Sequence, residues 1–189
     1  MIRAGDTIWN PASGERIHFI ETSRDTDGER VLIEVTVEAG GFVPAAHVHP
    51  GQSERFEVLE GVLSMKVGGR KLDLTAGESA VVESGVAHRF WNGGDDVVRF
   101  RTEVRPALQF EQLLETMCAL AADGKTNRKG MPNPFRLAVI AQAHFDDVRL
   151  PFPPAALQRA ALAMGAPLGR LLGYAATYEP VGQPIPATA

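Results

Sequence analysis

A chain of 189 residues with a hydrophobic fraction of 44% has enough apolar material for one packed domain with accessory structure, which excludes global disorder. Its net charge of −4 and scattered basic residues exclude a general attraction to nucleic acid or anionic membrane, since both need clustered positive charge. A single cysteine, Cys118, excludes an internal disulfide and agrees with a reducing compartment.

In chain order, the opening residues Met1 to Asp6 carry no apolar signal segment. Residues 1–24 read as extended and are too few for a DNA-binding helix-turn-helix. Alternation then sets in: Val31, Ile33, Val35 and Val37 share one parity against Leu32, Glu34 and Thr36, the pattern of a strand with one buried face. Strand-like runs are predicted at Glu15–Glu21, Arg55–Leu59, Val62–Val67, Lys71–Leu74, Ala80–Glu83, His88–Trp91 and Val98–Val104. Glycine-containing turns punctuate them. Many short strands at near-even spacing imply an all-β barrel or sandwich.

Past Pro106 the period becomes helical. Phe110, Leu113, Leu114, Met117 and Leu120 form one apolar stripe, with Cys118 as a core thiol beside it. Lys125, Arg128 and Lys129 fall in a Gly/Asn loop and read as a solvated turn. A second helix is predicted from about Phe135 to Phe145. A third contains Leu157, Ala161 and Met164, opened by Pro153-Pro154 and ended by Gly165 before Pro167. The expected organisation is a strand domain over 1–106, a helical extension over 107–180 packed on that domain or on a dimer partner, and a tail over 181–189. No uncharged run reaches the length of a membrane span, so a cytoplasmic location is expected.

The chemistry-bearing residues lie between Gly41 and Asn92. His47 and His49 alternate, so on an extended strand they face one side about 6.6 Å apart and can converge on one ion. Glu54 shares its parity with Phe56 and Val58, and His88 shares its parity with Phe90 and Asn92. If these faces line one interior, three imidazoles and a carboxylate meet among apolar side chains. Such nitrogen and oxygen donors suit one divalent Fe, Mn, Ni, Cu or Zn ion. Phe56, Val58, Phe90 and Asn92 are then candidates for a substrate pocket, or simply fill the interior. His18 and His144 fall outside the pattern and read as ordinary surface or packing residues.

The same residues resemble the motifs of the cupin superfamily. The first motif, a glycine, five residues, His-x-His, a glutamate and a later glycine, is satisfied by Gly41, His47, His49, Glu54 and Gly61. The second is matched by Gly77, Gly85, His88 and Asn92, with Glu83 where a proline is usual. The resemblance covers roughly residues 25–105. It implies a double-stranded β-helix (jelly-roll) barrel with the helical extension outside it, and a metal held by His47, His49, Glu54 and His88.

The ligand set is similar to that of quercetinase-type cupin dioxygenases, where the glutamate is proposed to leave the ion and accept a proton. That makes Glu54 a candidate catalytic residue. The expected function is a metal-dependent oxygenase, an oxidoreductase acting on a small hydrophobic or aromatic compound that chelates through oxygen. A non-oxidative isomerase or cyclase, and a non-catalytic small-molecule-binding module, are the alternatives. Expected partners are a small molecule and a second copy in a homodimer, with neither nucleic acid nor membrane.

Overall fold

The computed structural model describes residues 1–179, and the tail expected over 181–189 lies outside the described residues. Nine strands precede three helices: β1 (Thr7–Asn10), β2 (Glu15–Glu21), β3 (Val31–Val37), β4 (Ser53–Glu60), β5 (Val62–Val67), β6 (Arg70–Thr75), β7 (Ser79–Val82), β8 (His88–Asn92), β9 (Val98–Arg105), α1 (Phe110–Ala122), α2 (Pro134–Ala143) and α3 (Ala155–Leu171). Alternation explains the strands. In β3 the valines and Ile33 are buried while Leu32, Glu34 and Thr36 are not, and β9 repeats this with Val98, Phe100, Thr102 and Val104.

The strands form a six-stranded antiparallel sheet in the order β1-β2-β3-β9-β4-β7 and a three-stranded sheet in the order β6-β5-β8. Phe19, Ile33, Val35, Phe56, Val58 and Phe100 from the larger sheet form one core with Leu63 and Met65 from the smaller. The closed β-helix barrel expected from the motifs is corrected here: this is a mainly-β domain whose sheets are not closed into a barrel. Between β3 and β4 the chain reaches β8 only through isolated bridges, Phe42 to Trp91 and His47 to His88. Pro44 and Pro50 lack the N–H a continuous ladder needs, and Gly40, Gly41 and Gly51 weaken strand formation further.

Helix α1 packs against β1, and α2 packs against α3. The third helix does not stop at Gly165 but runs through Pro167 to Leu171. Close packing maintains it: a Cβ at Gly169 would collide with the Phe135 carbonyl and the Val139 side chain of α2. Tertiary contact thus overrides the local proline signal. The segment after α3 is strapped back, with Tyr178 donating to Asp123 at 2.6 Å and Arg136 lying over the Tyr174 ring at 4.6 Å.

Candidate metal centre

Two of the four candidate ligands sit on the irregular stretch between β3 and β4, and two on regular strands. Glu54 lies near the start of β4, paired with Val82 on one side and Val104 on the other, so its side chain is fixed inside the larger sheet. His88 opens β8, and its backbone exchanges hydrogen bonds with His47 (2.9 Å each way). This pairing brings the two histidines together across a sequence gap of about forty residues. The turn before β8 is closed by Gly85, whose N–H donates to the His49 carbonyl at 2.8 Å and whose φ of +79° suits glycine.

His47, His49, Glu54 and His88 converge: one donor atom from each lies within 4.8 Å of all the others. His49, Glu54 and His88 are at most 5% exposed, whereas His47 is half-buried. Each imidazole faces a backbone carbonyl through Nδ1: His47 with Ala45 at 2.9 Å, His49 with Asp147 at 2.7 Å and His88 with Val86 at 3.1 Å. A carbonyl only accepts, so each Nδ1 carries a proton and each Nε2 is left to face the centre. Outer acceptors of this kind orient metal-bound histidines.

The orphaned atoms provide the test of fit. Among the described residues, the buried side-chain atoms without a hydrogen-bond partner are His49 Nε2, Glu54 Oε2, His88 Nε2 and His144 Nε2. Three of them belong to the convergent cluster. Glu54 Oε2 lies 2.5 Å from His88 Nε2 and 3.7 Å from His49 Nε2. Buried polar atoms are ordinarily satisfied, and a divalent cation at this point would satisfy all three. The residues fit one ion held through three nitrogens and one oxygen.

Electrostatics agree. Burial pushes the Glu54 carboxyl up, but contact with His88 and the positive charge available to the three imidazoles outweigh it, holding the group at about 2. Burial brings His47 down to about 4, and His88 adds to the fall. For His88 burial also opposes charge, yet the contact with Glu54 prevails and its pKa is raised.

The residues expected to line a pocket occupy different settings. Phe56 and Val58 are fully packed in the core, and Phe90 is half-buried. Asn92 is buried with its amide nitrogen donating to the carbonyls of Val37, Glu38 and Asp96 at 2.7–3.1 Å, while its oxygen accepts from Gly94 N–H. It ties β8 to the connection after β3. Two phenyl rings lie beside the cluster, Phe56 6.4 Å from His88 and Phe110 6.0 Å from His49, centroid to centroid.

The sequence reading missed three residues beside the ligands. Gln52 accepts from His49 Nδ1 at 3.1 Å while its amide donates to the carbonyls of Pro106 and Ala107; its parity with Glu54 was the available signal. Asp147 and His144 come from the helical extension, and no local pattern connects them to the strands. His144 is fully buried and paired with Asp147, while His18 is exposed beside Thr7.

Residues 33–104 match the cupin domain family. With its cluster of three histidines and one glutamate, the chain carries a cupin-superfamily metal-binding domain. Over 99 residues it is 30% identical to a protein of Hypocrea virens called probable oxidoreductase virH, and the match takes in 49% of this chain but 44% of that protein. The chain therefore spans less than half the length of this curated relative. Solved structures with similar coordinates include an RmlC-like cupin from Shewanella frigidimarina (21% identity, 55% of this chain and 86% of that one, TM-score 0.47). Another is a predicted oxalate decarboxylase from Thermotoga maritima (19% identity, 56% and 99%, TM-score 0.48). Neither likeness bears on the reaction.

Proposed function

We propose that the protein is a metal-dependent oxygenase acting on a small hydrophobic or aromatic compound that binds through oxygen. The observation that carries this reading is the donor set: three imidazole nitrogens and one ionised carboxylate in a largely buried cluster, with the Phe56 and Phe110 rings beside it. A bound divalent ion supplies Lewis acidity toward the substrate oxygen and a partner for dioxygen.

The chain's own residues do the rest. Glu54 keeps a carboxylate at the centre, where it takes the proton that a hydroxylated substrate gives up. His47, the one ligand with appreciable surface exposure, marks the side of approach, and half-buried Phe90 offers an apolar face. Asn92 has its amide committed to backbone carbonyls, so it is withheld from substrate hydroxyls, which weighs against a sugar. The name of the Hypocrea virens relative, an oxidoreductase, supports the same class.

The test is oxygen uptake with a panel of catechols, flavonols and diketones on iron-, manganese- and nickel-loaded protein. Uptake matched by substrate loss with at least one metal is expected. Turnover under argon with no uptake would instead assign an isomerase or cyclase, and tight binding without turnover a binding module.

A further inference from the structure

The helical extension reaches the metal centre. Val48, between the ligands His47 and His49, exchanges both backbone hydrogen bonds with Arg149, at 2.9 and 3.0 Å. Close by, the Asp147 carbonyl accepts from His49 Nδ1 at 2.7 Å, the shorter of the two contacts on that nitrogen. This carbonyl belongs to the turn that follows α2. There the N–H groups of Asp147 and Val148 both donate to the His144 carbonyl, at 3.0 and 2.9 Å.

Side chains lock the turn. His144 Nδ1 lies 3.1 Å from Asp147 Oδ2, with the two residues 0% and 6% exposed. Buried Phe145 beside them carries the guanidinium of Arg159, from α3, 4.4 Å from its ring centre, and that of Arg149 at 5.6 Å.

We propose that the His144–Asp147 pair is a positioning device for the metal ligand His49. The pair fixes the turn, the turn fixes the Asp147 carbonyl, and the carbonyl holds the His49 proton on Nδ1 with Nε2 aimed at the ion. When either partner is removed, the other buried polar group is left unpaired and the turn shifts. His49 then keeps only the longer contact to Gln52, and its ring gains freedom. The helices are thereby part of the centre and not an appendage to it. This inference rests on the metal-site assignment alone and is independent of the reaction.

The test combines one measurement on the unaltered protein with two substitutions. Long-range proton–nitrogen NMR on metal-free protein is expected to show His49 protonated at Nδ1. Zinc affinity, measured by competition, is expected to fall about 10-fold in Asp147→Leu, at the lower end for loss of an outer partner. Asp147→Asn, whose amide oxygen still accepts from His144, is expected to bind close to wild type. The His49 ring resonances should move more than those of His47 and His88 in the leucine variant. If Asp147→Leu does not fold, His144→Phe removes the donor from the other side and reads the same loss. A His49 protonated at Nε2, or variants with unchanged zinc affinity and unchanged His49 resonances, would overturn the proposal. A wild-type protein that takes up neither zinc nor cobalt overturns the metal assignment together with it.

Discussion

Glu54 Oε2 and His88 Nε2 stand 2.5 Å apart in a buried site, and the His88 proton is directed to the Val86 carbonyl on the opposite side of the ring. Without an ion the pair is held by a proton on His88 Nε2, since the contact raises the His88 pKa and lowers that of Glu54, and a bound cation takes that proton's place. Removing the metal should lower stability by the binding free energy of the ion. At an ion concentration a thousandfold above Kd, binding contributes about 4 kcal/mol, which lowers the melting temperature by on the order of 10 °C when a chelator strips the ion. Calorimetry with and without chelator checks this, and equal melting temperatures would count against an ion at this position.

His88→Ala and His47→Ala should each leave the purified protein with little metal, because each removes one direct bond. The two are expected to differ in stability. His88→Ala strips the buried Glu54 carboxylate of its nearest partner and should cost about 3 kcal/mol or more. His47→Ala, at the half-buried edge of the cluster, should cost less. Elemental analysis with denaturant melts reads both effects, and full metal in both variants would show that other residues are the ligands.

Glu54→Gln keeps an oxygen donor but removes the base. Metal content is expected to fall modestly while oxygenase turnover drops by roughly 100-fold or more. A variant as active as wild type would exclude Glu54 from proton transfer.

Glu15 supplies a pH-dependent contribution away from the metal. Burial raises its carboxyl to about 7, partly countered by the Ser13 hydroxyl that donates to it at 2.5 Å. The folded state thus holds this proton more tightly than the unfolded chain, whose value is 4.5. Its contribution is fully present below pH 4.5, falls as pH rises to 7, and is level thereafter; the loss is about 3 kcal/mol. Glu15→Gln should therefore match wild type near pH 4 and exceed it in stability near pH 8. Parallel denaturant titrations test this, and a wild-type-minus-variant difference that stays flat with pH would refute it.

The outer face of α3 predicts self-association. Leu157, Met164, Leu168 and Leu171 follow helical spacing and are 60%, 71%, 51% and 84% exposed. A second copy related by a two-fold axis can lay the same stripe against this one. Light scattering should give a dimer for wild type and a monomer for Met164→Glu combined with Leu168→Glu; a monomeric wild type would remove this interface.

Much of the molecule was legible because period-two burial is local. Val31 to Val37 and Val98 to Val104 display it outright, and the alternation of His47 with His49 needs only a locally extended chain to make sense. What stayed hidden depends on distant packing. Whether the sheets close depends on how the chain between β3 and β4 meets β8, and its prolines reduce that seam to isolated bridges. The length of α3 depends on the fit of Gly169 against α2. The contact of Asp147 with His49 spans about a hundred residues and depends on a backbone carbonyl, which every residue type possesses, so no spacing rule announces it.

The stretch between β3 and β4 that carries His47 and His49 is fastened by single bridges, to Trp91 and His88 on one flank and to Arg149 on the other. For it to lift, its backbone hydrogen bonds to Ser13, Gly85, His88, Phe90, Asn92 and Arg149 must break together, whereas Glu54 and His88 are anchored in continuous ladders. Loading and unloading of the ion should consequently proceed by breathing of this one hairpin-like flap, with two donors departing together and two staying behind as a seat. Exchange of one metal for another would then be slow, first-order and insensitive to the concentration of the incoming ion.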